Sequence, residues 1–188
     1  MKTTSHFIGV SLKSSQLADL FVAIDAYSRE NKLTESILLQ NVNSTHITFH
    51  YLPADVPKQE EGSILEEVRR SQNGMPSFVG GLTVDYFGGD ATEKVCFIRC
   101  KEDSWMEETH MLLARNYPHE EVPENSLTFV PHITLFRIQD ISKYAPHKDS
   151  IDSMVSDHIK NIGEKIDTKG LRLYRVNSGY QPEIQITV

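Results

Sequence analysis

The chain lacks any long apolar run: nothing in its 188 residues approaches the ~20 consecutive apolar residues that a membrane helix needs. The stretch MKTTSHFIGVSLKSS turns polar before an apolar core of secretory length has accumulated, so a cytoplasmic protein with no membrane partner is expected. Cysteine is scarce. The two present, Cys96 and Cys100, fall in KVCFIRC, a strand-like stretch in which four residues span roughly 13 Å, too far for a disulfide between them. Reduced thiols in or near the core are expected. Positive charge is short as well. The 19 basic residues against 26 acidic ones give a formal charge of −7, which argues against broad electrostatic grip on long nucleic acid and leaves room for a small anionic ligand held by local groups. Low-complexity segments are missing too. A composition of 39% hydrophobic and 24% charged residues is ordinary for one compact globular unit.

What is present is a regular alternation of strand-like and helix-like segments. HFIGVSL (His6 to Leu12) reads as a strand, and Ser14 and Ser15 can cap a helix carrying Leu17, Leu20, Phe21 and Ile24 and ending near Asn31. A second strand, about His46 to Leu52, is closed by Pro53. In EEGSILEEVRRSQNG, Ser63 stands three residues before Glu66 as in a capping box, with Gly74 as the stop. FVGGLTVDYFGGD and EKVCFIRC read as two strands joined by a turn around Gly88, Gly89 and Asp90. A helix over about Asp103 to Asn116 follows, then a loop in YPHEEVPENS. A strand from about Thr128 to Arg137, a helix through Ile151, Val155 and Ile159, and strands near Leu171 to Val176 and Glu183 to Val188 complete the chain. The order repeats roughly. It predicts an α+β, bilobal protein, residues 1 to 188 forming one domain of two pseudo-symmetric lobes, each an antiparallel sheet backed by helices, with a cleft between them.

The most informative repeat is a tripeptide. His-Ile-Thr occurs in STHITFHYLP and again in VPHITLFRI, both strand-like. Side chains alternate across a strand, so His46 and Thr48 share one side, as do His132 and Thr134, while Ile47 and Ile133 face the other. Each copy sets an imidazole beside a hydroxyl on a stiff backbone. Two opposed imidazoles suit cleavage of a phosphodiester, because one can accept a proton while the other gives one to the leaving oxygen. The hydroxyls can donate to non-bridging phosphate oxygens, where charge builds in the transition state. A single His-x-Thr in a strand is most often structural; two identical copies shift the balance toward function. Zinc is the rival use of paired histidines, but the nearby carboxylates and cysteines complete no recognisable ligand spacing, and neither a metal nor another cofactor is expected. His50, four residues beyond His46, is expected on the same face and against the substrate. His6, His110, His119, His147 and His158 have no comparable setting and read as surface or partly buried groups.

THITFHYL and PHITLFRI resemble the paired H-x-T-hydrophobic signatures of the two-histidine (2H) phosphoesterases, the superfamily of the 2′-5′ RNA ligase-like proteins and the RNA 2′,3′-cyclic phosphodiesterases. The likeness extends along the chain in order: HFIGVSL is similar to the family's first strand, DYFGG and KVCFIRC to the pair between the motifs, and VNSGYQPEIQITV to its ending. Leu52-Pro53 and His50 stand where many relatives have Leu-Gly and a basic residue. The resemblance implies His46 and His132 as general base and general acid in either order, and Thr48 and Thr134 as phosphate-binding groups. It also implies Tyr180 beside the substrate, where its ring would stack on a base. The activity implied is opening of 2′,3′-cyclic phosphates on RNA ends or small nucleotides by a monomer, or cleavage of 2′-5′-linked or cyclic signalling oligonucleotides. A nucleotide-binding module without turnover is the alternative outside enzymes.

Overall fold

The computed structural model describes residues 6–52, 58–88, 94–118, 129–176 and 182–186. Its strands join in one hydrogen-bonded arrangement in which every pairing is antiparallel. In one half, β1 (His6–Leu12) lies between β3 (His46–Tyr51) and β8 (Lys165–Val176), and β8 also pairs with β4 (Phe78–Gly80) and β9 (Pro182–Ile186). In the other, β6 (Lys94–Arg99) lies between β5 (Thr83–Phe87) and β7 (His132–Ile138), and β2 (Ile37–Leu39) pairs with β7. Among the described residues, the two halves of the sheet pair where β3 meets β7, at Ile47↔Ile133. The expected two-lobed α+β architecture is thus the one observed.

The helices follow from apolar spacing. In α1 (Ala18–Glu30) the buried residues are Leu20, Phe21, Ile24 and Ser28, with Ile24 three and four residues beyond Phe21 and Leu20 and Ser28 four further on, so that they share one face. α5 (Lys148–Asn161) buries Ile151, Val155 and Ile159 by the same rule. These two helices pack together and cover the second half, through α5 on β5 and α1 on β2. α2 (Lys58–Ser71) covers β8 and α3 (Ser104–Asn116) covers β3 in the first half. Asp103 caps α3 by accepting from the Met106 amide at 2.8 Å. A short helix, α4 (Ile141–Tyr144), leads into α5. The Tyr86 hydroxyl on β5 donates to Asp152 of α5 and accepts from the Tyr144 hydroxyl at 2.7 Å, which ties both helices to the sheet.

Several boundaries differ from expectation for identifiable reasons. FVGGLTVDYF is two strands, because Gly81 turns with φ +61 and a Cβ there would meet the Lys101 Cβ at 2.6 Å. α2 is already helical at Lys58, so Ser63 sits in its interior and not at its cap. β8 starts six residues before the expected Leu171, where the polar KIDTKG pairs with β4 and with the end of β1. β2 adds a strand beyond those expected, and its three residues are too few to show a period. The turn at Gly89 and Asp90, most of the Tyr117 to Ser126 loop and Pro53 lie outside the described residues. Cys96 and Cys100 are buried free thiols, both pushed up to about 12 by burial. Among the described residues, no helix is long and apolar enough to cross a membrane.

Candidate active site

The Ile47↔Ile133 pair decides where the repeated tripeptides go. One step either side of it, antiparallel register sets His46 beside Thr134 and Thr48 beside His132. Both isoleucines are fully buried, so all four polar side chains emerge on the other face, each half-buried. They line a cleft with two compartments, of about 400 Å³ and about 50 Å³, which share Thr48, Tyr51, His132, Thr134 and Arg137. His46 belongs to the smaller one.

His50 does not join them, and the reason is a β-bulge. Gly9 pairs with Thr48 and Ile8 with His50, so Phe49 is an extra residue that inverts the alternation beyond it. His50 therefore turns into the protein, 1% exposed, where Nε2–H donates to the Tyr117 carbonyl at 2.6 Å. Tyr51 takes the cleft position instead. The same device recurs in β7. Phe97 pairs with Thr134 and Cys96 with Phe136, leaving Leu135 as the bulge and turning Arg137 into the cleft. Tyr51 and Arg137 are the lining residues that alternation alone misses. The available signal is Leu135-Phe136, two adjacent apolar residues that break strict alternation at the same place in the second motif.

Each catalytic candidate is held by its own backbone. His46 Nδ1 lies 2.7 Å from the Ser44 carbonyl, and His132 Nδ1 lies 2.8 Å from the Val130 carbonyl. A carbonyl only accepts, so both Nδ1 atoms carry hydrogen, and in the neutral rings Nε2 is left with its lone pair. Aromatic rings flank both imidazoles: Phe7 at 4.6 Å and Tyr174 at 5.0 Å from His46, Phe87 at 4.8 Å and Phe97 at 5.1 Å from His132. Phe7 stacks on Tyr174 across β1 and β8, and Phe87 stacks on Phe97 across β5 and β6, so a stacked ring pair beside each histidine also repeats between halves.

Burial in this setting lowers His46 to about 4, with the hydrogen bond to Ser44 opposing and the nearby His132 adding to the shift. His132 is lowered too, first by burial, against its bond to Val130, and then by the Arg99 guanidinium. The free protein therefore holds neutral imidazoles at pH 7. Because the folded value of His46 lies below the ordinary 6.5, the unfolded chain binds more protons between the two values. That contribution to stability is complete above pH 6.5 and is lost as pH falls toward 4. Thermal unfolding is expected to show a declining Tm across this interval, with a shallower decline in His46→Gln; an unchanged slope in the variant would contradict the assignment.

Other histidines are more buried than their sequence setting suggested. His110 on α3 donates from Nδ1 to the carbonyl of the bulge residue Phe49 at 2.7 Å and stacks on Phe129 at 4.7 Å. His6 is buried beside Glu61 and Arg175, linking β1, α2 and β8. Tyr180 lies outside the described residues. Among the described residues, no three His, Cys, Asp or Glu side chains gather as a metal site.

In sequence, no family model and no curated protein matches the chain. Solved structures do match over nearly its whole length. The Thermus thermophilus protein TT0787 aligns with a TM-score of 0.62 at 16% identity, over 97% of this chain and 95% of that one. Escherichia coli LigT, solved with 3′-AMP, gives 0.55 at 12% identity over 97% and 96%. The chain has the LigT fold. Kluyveromyces marxianus Usb1 shares it, with a TM-score of 0.52 at 14% identity over 100% of this chain and 99% of that one. The resemblance carried by the two His-x-Thr motifs is thus matched by a fold that this chain has in common with LigT, which has also been solved with phosphate and with ATP.

Proposed function

We propose that the protein is a metal-independent phosphodiesterase that opens 2′,3′-cyclic phosphates on nucleotides or RNA ends to 2′-phosphates. The observation that carries this reading is the quartet His46, Thr48, His132 and Thr134 set symmetrically about the Ile47↔Ile133 pair, facing a cleft that also holds Arg137. A phosphoryl group centred there would receive hydrogen bonds from both threonine hydroxyls and charge from the guanidinium, which grow stronger as negative charge builds on the phosphate oxygens. One imidazole takes a proton from the attacking water and the other, charged, gives one to the leaving ribose oxygen. The two rings together move both protons, so the scheme needs no metal. The nucleotides bound by LigT support the same ligand class here.

The test is product analysis of purified protein in excess chelator against 2′,3′-cyclic nucleotides, RNA ending in a cyclic phosphate, 2′-5′ oligoadenylate and cyclic dinucleotides. The expected result is 2′-phosphate from the first two, with a bell-shaped pH dependence of kcat/KM. Turnover lost on chelation and restored by zinc would sink the metal-free mechanism. Turnover confined to the last two substrates would make the protein a hydrolase of signalling oligonucleotides. Nucleotide binding with no turnover would make it a binding module.

A further inference from the structure

The sheet face that carries the quartet continues past the cleft onto β1 and β8, and there it holds polar groups without partners. Across the strands, His46 pairs with Ser11 and Ser11 with Gly170, while Thr48 pairs with Gly9 and Gly9 with Arg172. Directly paired residues project to one side of a sheet, so Ser11 and Arg172 share the face of His46 and Thr48. Gly9 places no side chain between Thr48 and Arg172, and the Phe7 ring packs over it against Tyr174. Arg172 is half-buried, and among the described residues its guanidinium makes no hydrogen bond or ion pair. It lies against Gly170, where a Cβ would stand 3.6 Å from its Cζ and Nη2. The Tyr174 hydroxyl is fully buried and has no hydrogen bond either. Burial pushes that phenol up to about 12, with Ser11 and the Arg172 charge, both close by, acting against the shift. Buried polar groups are as a rule satisfied. A guanidinium and a buried hydroxyl left without partners side by side suit an anion supplied from outside. The other half offers no such charge: Arg99, which pairs with His132 across β6 and β7, is held by Asp85 at 2.6 and 2.8 Å.

Resting on the proposed function, we infer that Arg172, beside Ser11 and the Tyr174 hydroxyl, forms a second phosphate subsite, through which the enzyme selects substrates that carry a phosphate on the 5′ oxygen besides the cyclic one. The cyclic phosphate occupies both the 2′ and the 3′ oxygen, so a second phosphate on the same nucleoside has only the 5′ oxygen to sit on. Arg172 stands two strand spacings from Thr48, about 10 Å between backbones, a gap that one ribose and the reach of an arginine side chain bridge together. The guanidinium donates to two non-bridging oxygens of this phosphate, the paired geometry in which arginine holds such groups best. No bond to that phosphate changes in the reaction. Its contribution is therefore to binding, and it appears in KM with kcat little altered. The 5′ phosphate is either a terminal monoester or the first diester of an RNA chain, and both present the same oxygens.

The experiment compares kcat/KM for three substrates: adenosine 2′,3′-cyclic phosphate, the same nucleotide with a 5′-phosphate, and ApA ending in a cyclic phosphate. In the wild type one or both of the larger substrates should be favoured over the first by about tenfold or more, mainly through KM, the size of a charge-assisted hydrogen bond. Which of them is favoured distinguishes the monoester from the RNA chain. In Arg172→Gln the preference is expected to disappear. It is a ratio of rates by the same active molecules, so partial unfolding of the variant does not mimic its loss. Where ApA is favoured, an uncharged methylphosphonate at its internal linkage should abolish the preference in the wild type, which separates recognition of the phosphate from stacking of the second base. Equal kcat/KM for all three substrates in the wild type, a preference that Arg172→Gln retains, or one that survives the methylphosphonate would overturn this inference while leaving the phosphodiesterase reading intact. No turnover of any of the three by the wild type would overturn both.

Discussion

Replacing His132 with alanine is expected to lower turnover of a 2′,3′-cyclic nucleotide by about 10²–10⁴-fold, the usual size of a lost proton-transfer group. That loss corresponds to roughly 3–5 kcal/mol of barrier. The stability change should be much smaller. The ring makes one hydrogen bond, to Val130, typically about 1 kcal/mol, and, held neutral at pH 7 by the burial that lowers its pKa, it contributes no ion pair to lose. Steady-state kinetics beside thermal unfolding separates the two effects. A variant that folds normally and keeps full activity would remove His132 from the mechanism, and a similar result for His46→Ala would remove the paired scheme.

The second large effect belongs to stability. Ile133→Ala empties one side of the bridge between the halves, where both isoleucines are fully buried, and is expected to cost about 2–5 kcal/mol. For a chain of this length that is a fall in Tm of roughly 4–20 °C. Ile133→Val should cost about 0.5–1.5 kcal/mol, and Val22→Ala, at a site 68% exposed, close to nothing. The junction also sets the spacing of the two imidazoles. Activity of fully folded Ile133→Ala should therefore drop on the order of 10- to 100-fold, as expected when reacting groups are displaced by about 1 Å. Ile166→Ala in β8 removes a fully buried side chain that pairs with Val79 of β4, strands removed from the junction, and should lower Tm without that loss. Equal activity losses in the two would show that general loosening, not the junction, is responsible.

Much of this was legible in the chain. The His-x-Thr repeat and strict alternation placed His46, Thr48, His132 and Thr134 on one face each, and β1, α1, α3 and α5 lie where the residue pattern put them, although α1 starts at Ala18 behind Leu17 and takes no side-chain cap from Ser14 or Ser15. Pairing was not legible, since local pattern does not say that Ile47 meets Ile133. The misplacement of His50 has the same origin: a bulge is a relation between two strands, created by what Gly9 and Ile8 pair with, and one strand alone does not display it. The bulge exchanged His50 for Tyr51, and its counterpart in β7 brought in Arg137, giving the site its positive charge. The ring pair beside His46 was hidden for a similar reason: Phe7 and Tyr174 stack only when β1 and the distant β8 pair.

The central claim is that the two motifs form one phosphate-binding site. Ring-nitrogen NMR of the histidines during titration with 2′-AMP, the product of the proposed reaction, tests it most directly. His46 and His132 should shift together along one saturable isotherm at one nucleotide per chain, both moving toward the protonated form as the phosphate replaces buried apolar surroundings with charge. Their assignments come from the single alanine variants. A shift at only one ring, two separable isotherms, or saturation of nucleotide binding with both rings unmoved would contradict the shared site.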